Sequence, residues 1–501
     1  MIKLSYIKLI LTHYIVLTII SLVLLGGILR FWHLGEASYW MDEGYTVNAV
    51  LSIQETGSSV LDSSQKYSCP IYCYPTSWIA DFFGNSPGSY RALAAVSGSL
   101  FIIVIFFIVR KFFGSTLSLV STFLITFSYW QIAWSRQARW YTLFTLFFWL
   151  SLYFFYRALR DNKQRWRHML LSLLFSLLTI FTHKLGYILP CIFLIWYVID
   201  RYLDNKPFSL KIVTLLILAG VLVLSLVTYH SGLVFDINWH YTLPYYLNFY
   251  LRTYWLFIAF GVFGFFSLYT KYKREYLFLL TVFLSYLIPL SFLTNIVHYR
   301  YLFHVTPVII ILATLGIYAL YTETKSTLGK KSVALIFLIL FFTVGGGVLI
   351  PGTDYPLESD NPQTLGDRPH YAYTPQPNWT SAYTTIKEQL TESHIVISSH
   401  PHFNKIYLNE PGFWIKYNYL GFDNQNEYVN NDYEFYVNAI VIDDLLELER
   451  ITNTYDGFLI FDYMAADNRL NADILDYITN TFELIHHEAS SPFSQVWVYR
   501  F

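Results

Sequence analysis

"LILTHYIVLTIISLVLLGGIL", residues 9–29, runs directly into "RFWHLGEASYWMDEGYTVNAV", residues 30–50. The first stretch is uninterrupted apolar sequence of about the 20 residues that a bilayer requires. It is too long for the apolar core of a secretory leader, and no small-residue cleavage site follows it, so it reads as an uncleaved first span. The second stretch places two adjacent carboxylates, Asp42 and Glu43, among aromatics a few residues beyond the membrane.

The rest of the 501-residue chain agrees with a polytopic α-helical membrane protein. It is 55% hydrophobic and only 13% charged, where a soluble protein carries about 25% charged residues. Net charge is −1, which gives no footprint for nucleic acid. Three cysteines make neither a disulfide framework nor a zinc pattern. Cys69 and Cys73 share a loop, where a bridge and two free thiols are both open.

Eleven spans are expected, at 9–29, 92–109, 115–133, 139–157, 168–182, 185–199, 211–229, 251–270, 275–293, 299–320 and 331–350. Basic loops follow every second one: Arg110–Lys111, "RALRDNKQRWRH" (157–168), "DRYLDNKPFSLK" (200–211), "KYKRE" (271–275) and "ETKSTLGKK" (323–331). The excess of Lys and Arg on the cytoplasmic side predicts a cytoplasmic N-terminus. The first loop (30–91), the turns at 135–139, 182–184 and 295–300, and the C-terminal tail then lie outside, on the plasma (inner) membrane. Residues 1–350 form the membrane module. Residues 351–501 read as a soluble extracytoplasmic α/β domain, with strands at "HIVISS" (394–399), "YDGFLIFDY" (455–463) and "SQVWVYRF" (494–501). Helices are expected at "NWTSAYTTIKEQL" (378–390) and "RLNADILDYITNTF" (469–482).

Ionisable residues gather at the outer ends of the spans. They are Asp42 and Glu43, Arg136 and Arg139, His183 and Lys184, Arg252, and His298 and Arg300. Aromatics such as Trp40, Trp140, Tyr141 and Tyr299 interleave with them. Cations at this level suit a lipid phosphate and the charge that develops on it as it departs. A carboxylate suits the proton of an attacking hydroxyl. Each residue also has a plainer reading. Asp42 could be an N-cap, Arg136 and Arg139 could be snorkelling at a helix end, and His183 could be a satisfied interfacial histidine. Arg300 could bind headgroups nonspecifically, and the aromatics could form an interfacial belt.

Several stretches resemble membrane glycosyltransferases of the GT-C fold, in particular the protein O-mannosyltransferase and lipid A aminoarabinose transferase groups. "RFWHLGEASYWMDEGYTVNAV" is similar to the family's first-loop signature. "SPGSYRALAAVSGSL" (86–100), "SRQARWYTLFTLF" (135–147), "FTHKLGYILP" (181–190) and "HYRYLFHVTP" (298–307) look like later family stretches, in the same order. The resemblance implies inverting transfer of a mannose-like hexose or pentose from a polyprenyl-phosphate sugar donor. It implies no cofactor, a divalent metal being left open. Asp42 matches the catalytic aspartate and Glu43 its acidic neighbour. Arg139 and Arg300 match arginines near the donor phosphate, with His183, Lys184, Tyr141 and His298 bordering the same cavity. Many relatives carry a basic residue or histidine before paired prolines, where this chain has "YSCPIYCYP" (67–75). Lys66, just upstream, is a candidate substitute.

A lipid-linked sugar flippase and a non-catalytic glycan-binding scaffold are the competing classes. Transporters place ionisable groups near the midplane, and here they cluster at one face. The acceptor can be protein, lipid or polysaccharide. Asn378–Thr380 is a sequon on the expected outer side.

Overall fold

The structure is a computed structural model. It describes residues 2–59, 69–210, 212–218, 220, 242–292, 298–345, 377–416, 429–430, 433–434, 436–466, 470–488 and 495–501. The chain folds as two compact units. One comprises residues 1–32, 94–136 and 140–351, and the other residues 33–93, 137–139 and 352–501.

The first unit is helical. Among the described residues, six helices are long and apolar enough to cross a membrane, or seven if the bent pair Ser115–Thr126 and Tyr129–Ser135 is one span. The expected spans 251–270 and 275–293 fall on the two halves of Trp255–Phe292, which a kink separates at Tyr272, where the backbone is non-helical. Spans 168–182 and 331–350 fall on the helices Arg165–Thr182 and Thr327–Gly345. Span 211–229 lies mostly outside the described residues.

Lipid supplies little hydrophobic drive between helices, so small and hydroxyl residues decide how closely they approach. A Cβ at Gly264 would stand 2.8 Å from the Cα of Gly316, so the helices Trp255–Phe292 and Thr306–Glu323 meet backbone to backbone there. Ser151 and Ser176 join the helices Tyr141–Arg160 and Arg165–Thr182 through an Oγ–Oγ hydrogen bond of 2.7 Å.

Two arginines close helix ends near the 58° bend. Arg30 is 1% exposed and donates to the Gly26 and Thr126 carbonyls and to Ser135 Oγ. Arg136 donates to the carbonyls of Leu29, Arg30 and Trp32. The last carbonyls of a helix have no intrahelical partner, and a guanidinium satisfies several at once.

The second unit holds an eight-stranded mixed sheet. Its strands are β1 (Ile395–Ser398), β2 (Phe413–Ile415), β3 (Val429–Asn430), β4 (Tyr433–Glu434), β5 (Ile440–Ile442), β6 (Gly457–Asp462), β7 (Glu483–Glu488) and β8 (Val496–Arg500), in the order β3-β4-β5-β2-β1-β6-β8-β7. The central strands β5, β2, β1 and β6 are parallel. A parallel strand is covered on both faces and reads as continuous apolar sequence, and all six residues of β6 are buried. Ile397, Ile415, Ile442 and Leu459 form the core with Ile474 and Ile478, which lie one turn apart on the helix Ala472–Thr481. The expected C-terminal strands and helices are all present. The unit also contains the helices Met41–Thr56 and Pro70–Phe83 of the first loop. Cys69 and Cys73 are joined by a disulfide across the first turn of Pro70–Phe83.

Candidate active site

The acidic helix begins at Met41, with Trp40 in the capping position. Asp42 is therefore inside the first turn and is not the N-cap. Glu43 does the capping: its Oε2 accepts from the Trp40 amide at 3.0 Å. Glu43 is fully buried. Arg91 grips it through Nε and Nη2, both at 2.8 Å, and the Ala138 amide donates to Oε1 at 2.6 Å. The remaining Arg91 donors go to the Leu34, Ala37 and Ser38 carbonyls. All five guanidinium donors are thus engaged. Glu43 is a saturated strut that ties residues 34–43, 91 and 138 together.

Asp42 has a different partner, Arg139. Arg139 Nη2 lies 3.4 Å from its Oδ2, and Arg139 Nη1 donates to the Asp42 carbonyl at 2.8 Å and to Thr46 Oγ1 at 3.0 Å. The Asp42 side chain keeps 14% exposure, against none for Glu43. Of the two carboxylates, Asp42 alone has an approach.

In the helical unit, three of the expected residues gather around Tyr301, and a fourth packs on one of them. The His183 ring lies 6.1 Å from it, His298 5.2 Å, and the Arg300 guanidinium 5.9 Å. Tyr141 packs on His183 at 5.7 Å. His183 caps the short turn Lys184–Ile188, its Nδ1 accepting from the Leu185 amide at 3.2 Å. Lys184 is exposed. Lys66 lies outside the described residues.

Arg91 and Tyr301 were not among the expected site residues. Arg91 stood in a quoted stretch, and its signal was an arginine entering an apolar span with an unmatched acid upstream. Tyr301 carried no signal beyond its place between Arg300 and His304.

Residues 68–230 match the family model of dolichyl-phosphate-mannose-protein mannosyltransferase. ArnT from Cupriavidus metallidurans in the apo state is similar over 98% of both chains, with a TM-score of 0.65 at 12% identity. The same protein bound to undecaprenyl phosphate gives 0.63 at 12% identity, again over 98% of both chains. The chain has the GT-C fold. The apo oligosaccharyltransferase of Archaeoglobus fulgidus shares this fold, with a TM-score of 0.56 at 11% identity over 90% of this chain and 70% of that one. No curated protein matches the sequence significantly. The GT-C resemblance read from the loop stretches is therefore borne out, together with the multi-pass membrane architecture and the C-terminal sheet domain.

Proposed function

We propose that this GT-C protein is an inverting glycosyltransferase that moves a mannose-like hexose or a pentose from a polyprenyl-phosphate donor to an acceptor hydroxyl. The reaction takes place at the outer face of the plasma (inner) membrane, with the N-terminus cytoplasmic and the C-terminal domain outside. The observation that carries the reading is the Asp42 carboxylate, held by Arg139 and still approachable, on a helix fixed by the buried Glu43–Arg91 pair.

Asp42 takes the proton of the acceptor hydroxyl as its oxygen bonds to the anomeric carbon. The bond from that carbon to the phosphate oxygen breaks, and its electron pair leaves with the lipid phosphate. Arg300, with His183, Lys184, Tyr141 and His298, supplies the cationic and hydrogen-bonding set for that phosphate. Arg139 orients the base as well as contributing positive charge. Lys66 is retained as a donor contact. The acceptor is a protein, lipid or polysaccharide of the cell envelope.

The test is mass spectrometry of envelope acceptors after incubating purified protein with a panel of polyprenyl-phosphate sugars. Product from a lipid-linked sugar is expected, and Arg300→Ala should weaken donor binding. Equal turnover from a nucleotide sugar without any lipid carrier would refute the reading.

A further inference from the structure

Gly44 follows the two carboxylates on the acidic helix, and a Cβ there would run into the ring of His402, with Nε2 at 2.9 Å, and into Phe403 at 3.2 Å. Only glycine lets this helix face come so close to another element. The next residue, Tyr45, packs its ring between His402 at 4.6 Å and Tyr436 at 4.3 Å. One turn further, the buried Asn48 amide donates to both the Gly44 carbonyl at 2.9 Å and the His402 carbonyl at 3.0 Å. Three successive contacts on one helix face therefore converge on a single residue of the C-terminal fold.

His402 stands on a rigid base. It lies in the first turn of the helix Pro401–Leu408, which has His400 in its capping position and follows the turn that leaves β1. His400 in that turn bonds through Nε2 to Asp462 at the end of β6, at 3.2 Å, and its amide donates to Ser398 Oγ at 3.0 Å. Trp414 on β2 donates from Nε1 to the Ser399 carbonyl at 3.2 Å. Asp462 is fixed in turn, its Oδ1 accepting from the Ala465 amide at 3.1 Å. Strands β1, β2 and β6 thus hold the turn from below.

We infer that the C-terminal fold is the seat of the acidic helix: the helix Pro401–Leu408, whose leading turn is anchored on β1, β2 and β6, uses His402 as a positioning residue that sets, through Gly44 and Asn48, where Asp42 stands. The kinetic part of this inference rests on the proposed transferase reading. A group misplaced by about 1 Å can cost about 10²-fold in rate, so a small displacement of the helix is enough to be measured.

The test compares wild type, Gly44→Ala, His402→Ala and the double variant. Gly44→Ala should lower kcat by about 10²-fold with donor KM little changed. His402→Ala should give a smaller loss, and the double variant should regain most of the lost rate because the added methyl fills the vacated ring space. Amide hydrogen exchange over residues 41–56 is read in the same proteins and does not depend on turnover. It should speed up in both single variants and return toward wild type in the double. If Gly44→Ala does not fold, His402→Ala and the double variant decide alone. A double variant no faster than Gly44→Ala, or a His402→Ala protein with wild-type kcat and wild-type exchange, would overturn the inference. A wild-type protein that transfers no sugar defeats the transferase reading instead, and the exchange data still decide the seat.

Discussion

Two buried carboxylates in the second unit live under opposite conditions. Glu43, on the acidic helix, has a guanidinium on both oxygens and two backbone amides as donors. Glu434, in the hairpin of β4 and β5, is nearly as buried and accepts from the Tyr436 and Val437 amides, but among the described residues no cation pairs with it. Burial penalises the charged form, and for Glu434 the two amides only partly offset it, so its carboxyl is pushed up to about 7. The two sites thus differ in their partners: a guanidinium with two backbone amides at Glu43, and two backbone amides at Glu434.

The largest expected effect follows from removing that partner. Arg91→Ala strips Glu43 of its cation and leaves a buried charge, which costs about 3–5 kcal/mol. Thermal or denaturant unfolding in detergent would read it. Replacing both Glu43 and Arg91 with methionine should recover only part of the loss, because the Trp40 and Ala138 amides lose their acceptor. A loss below about 1 kcal/mol, the range of exposed pairs, would erase the contrast between the two sites.

A smaller effect, with the opposite pH logic, belongs to Glu434. Its folded-state value of about 7 lies above the ordinary 4.5. Between those values the native state binds more protons than the unfolded state, so stability falls as pH rises through that window and stays lost above it. The full drop is about 3 kcal/mol at about 1.36 kcal/mol per unit. Glu434→Gln keeps an acceptor for both amides and should flatten this slope between pH 4.5 and 7. A thermal midpoint with the same pH slope in both proteins would remove Glu434 as the cause.

Much of the architecture is legible in local sequence, because apolar length and residue period are local properties. The run at 9–29, the continuous "GFLIF" of β6 and the paired Ile474 and Ile478 each announce their element. Partner choice is not local. Glu43 meets Arg91 and Ala138, separated by 48 and 95 positions, and no spacing rule connects them. The same holds for His402, 354 positions from Asn48. The sequence therefore singles out the acidic pair as a candidate site, but the difference between the buried Glu43 and the approachable Asp42 appears only when the fold brings Arg91 and Arg139 to them. The break at Tyr272, by contrast, is legible in local sequence: the "KYKRE" charges stand between two apolar runs, and the backbone there is non-helical.

The most direct measurement is the transfer rate of Asp42→Asn with a polyprenyl-phosphate sugar. The substitution keeps the size of the side chain and an acceptor for Arg139, and it removes the proton-accepting carboxylate. Because Glu43 caps the helix, folding should be preserved. The account predicts a fall of about 10²–10⁴-fold in kcat, equal to about 3–5 kcal/mol of barrier, with donor affinity nearly unchanged. A folded Asp42→Asn protein that transfers sugar at the wild-type rate would contradict it.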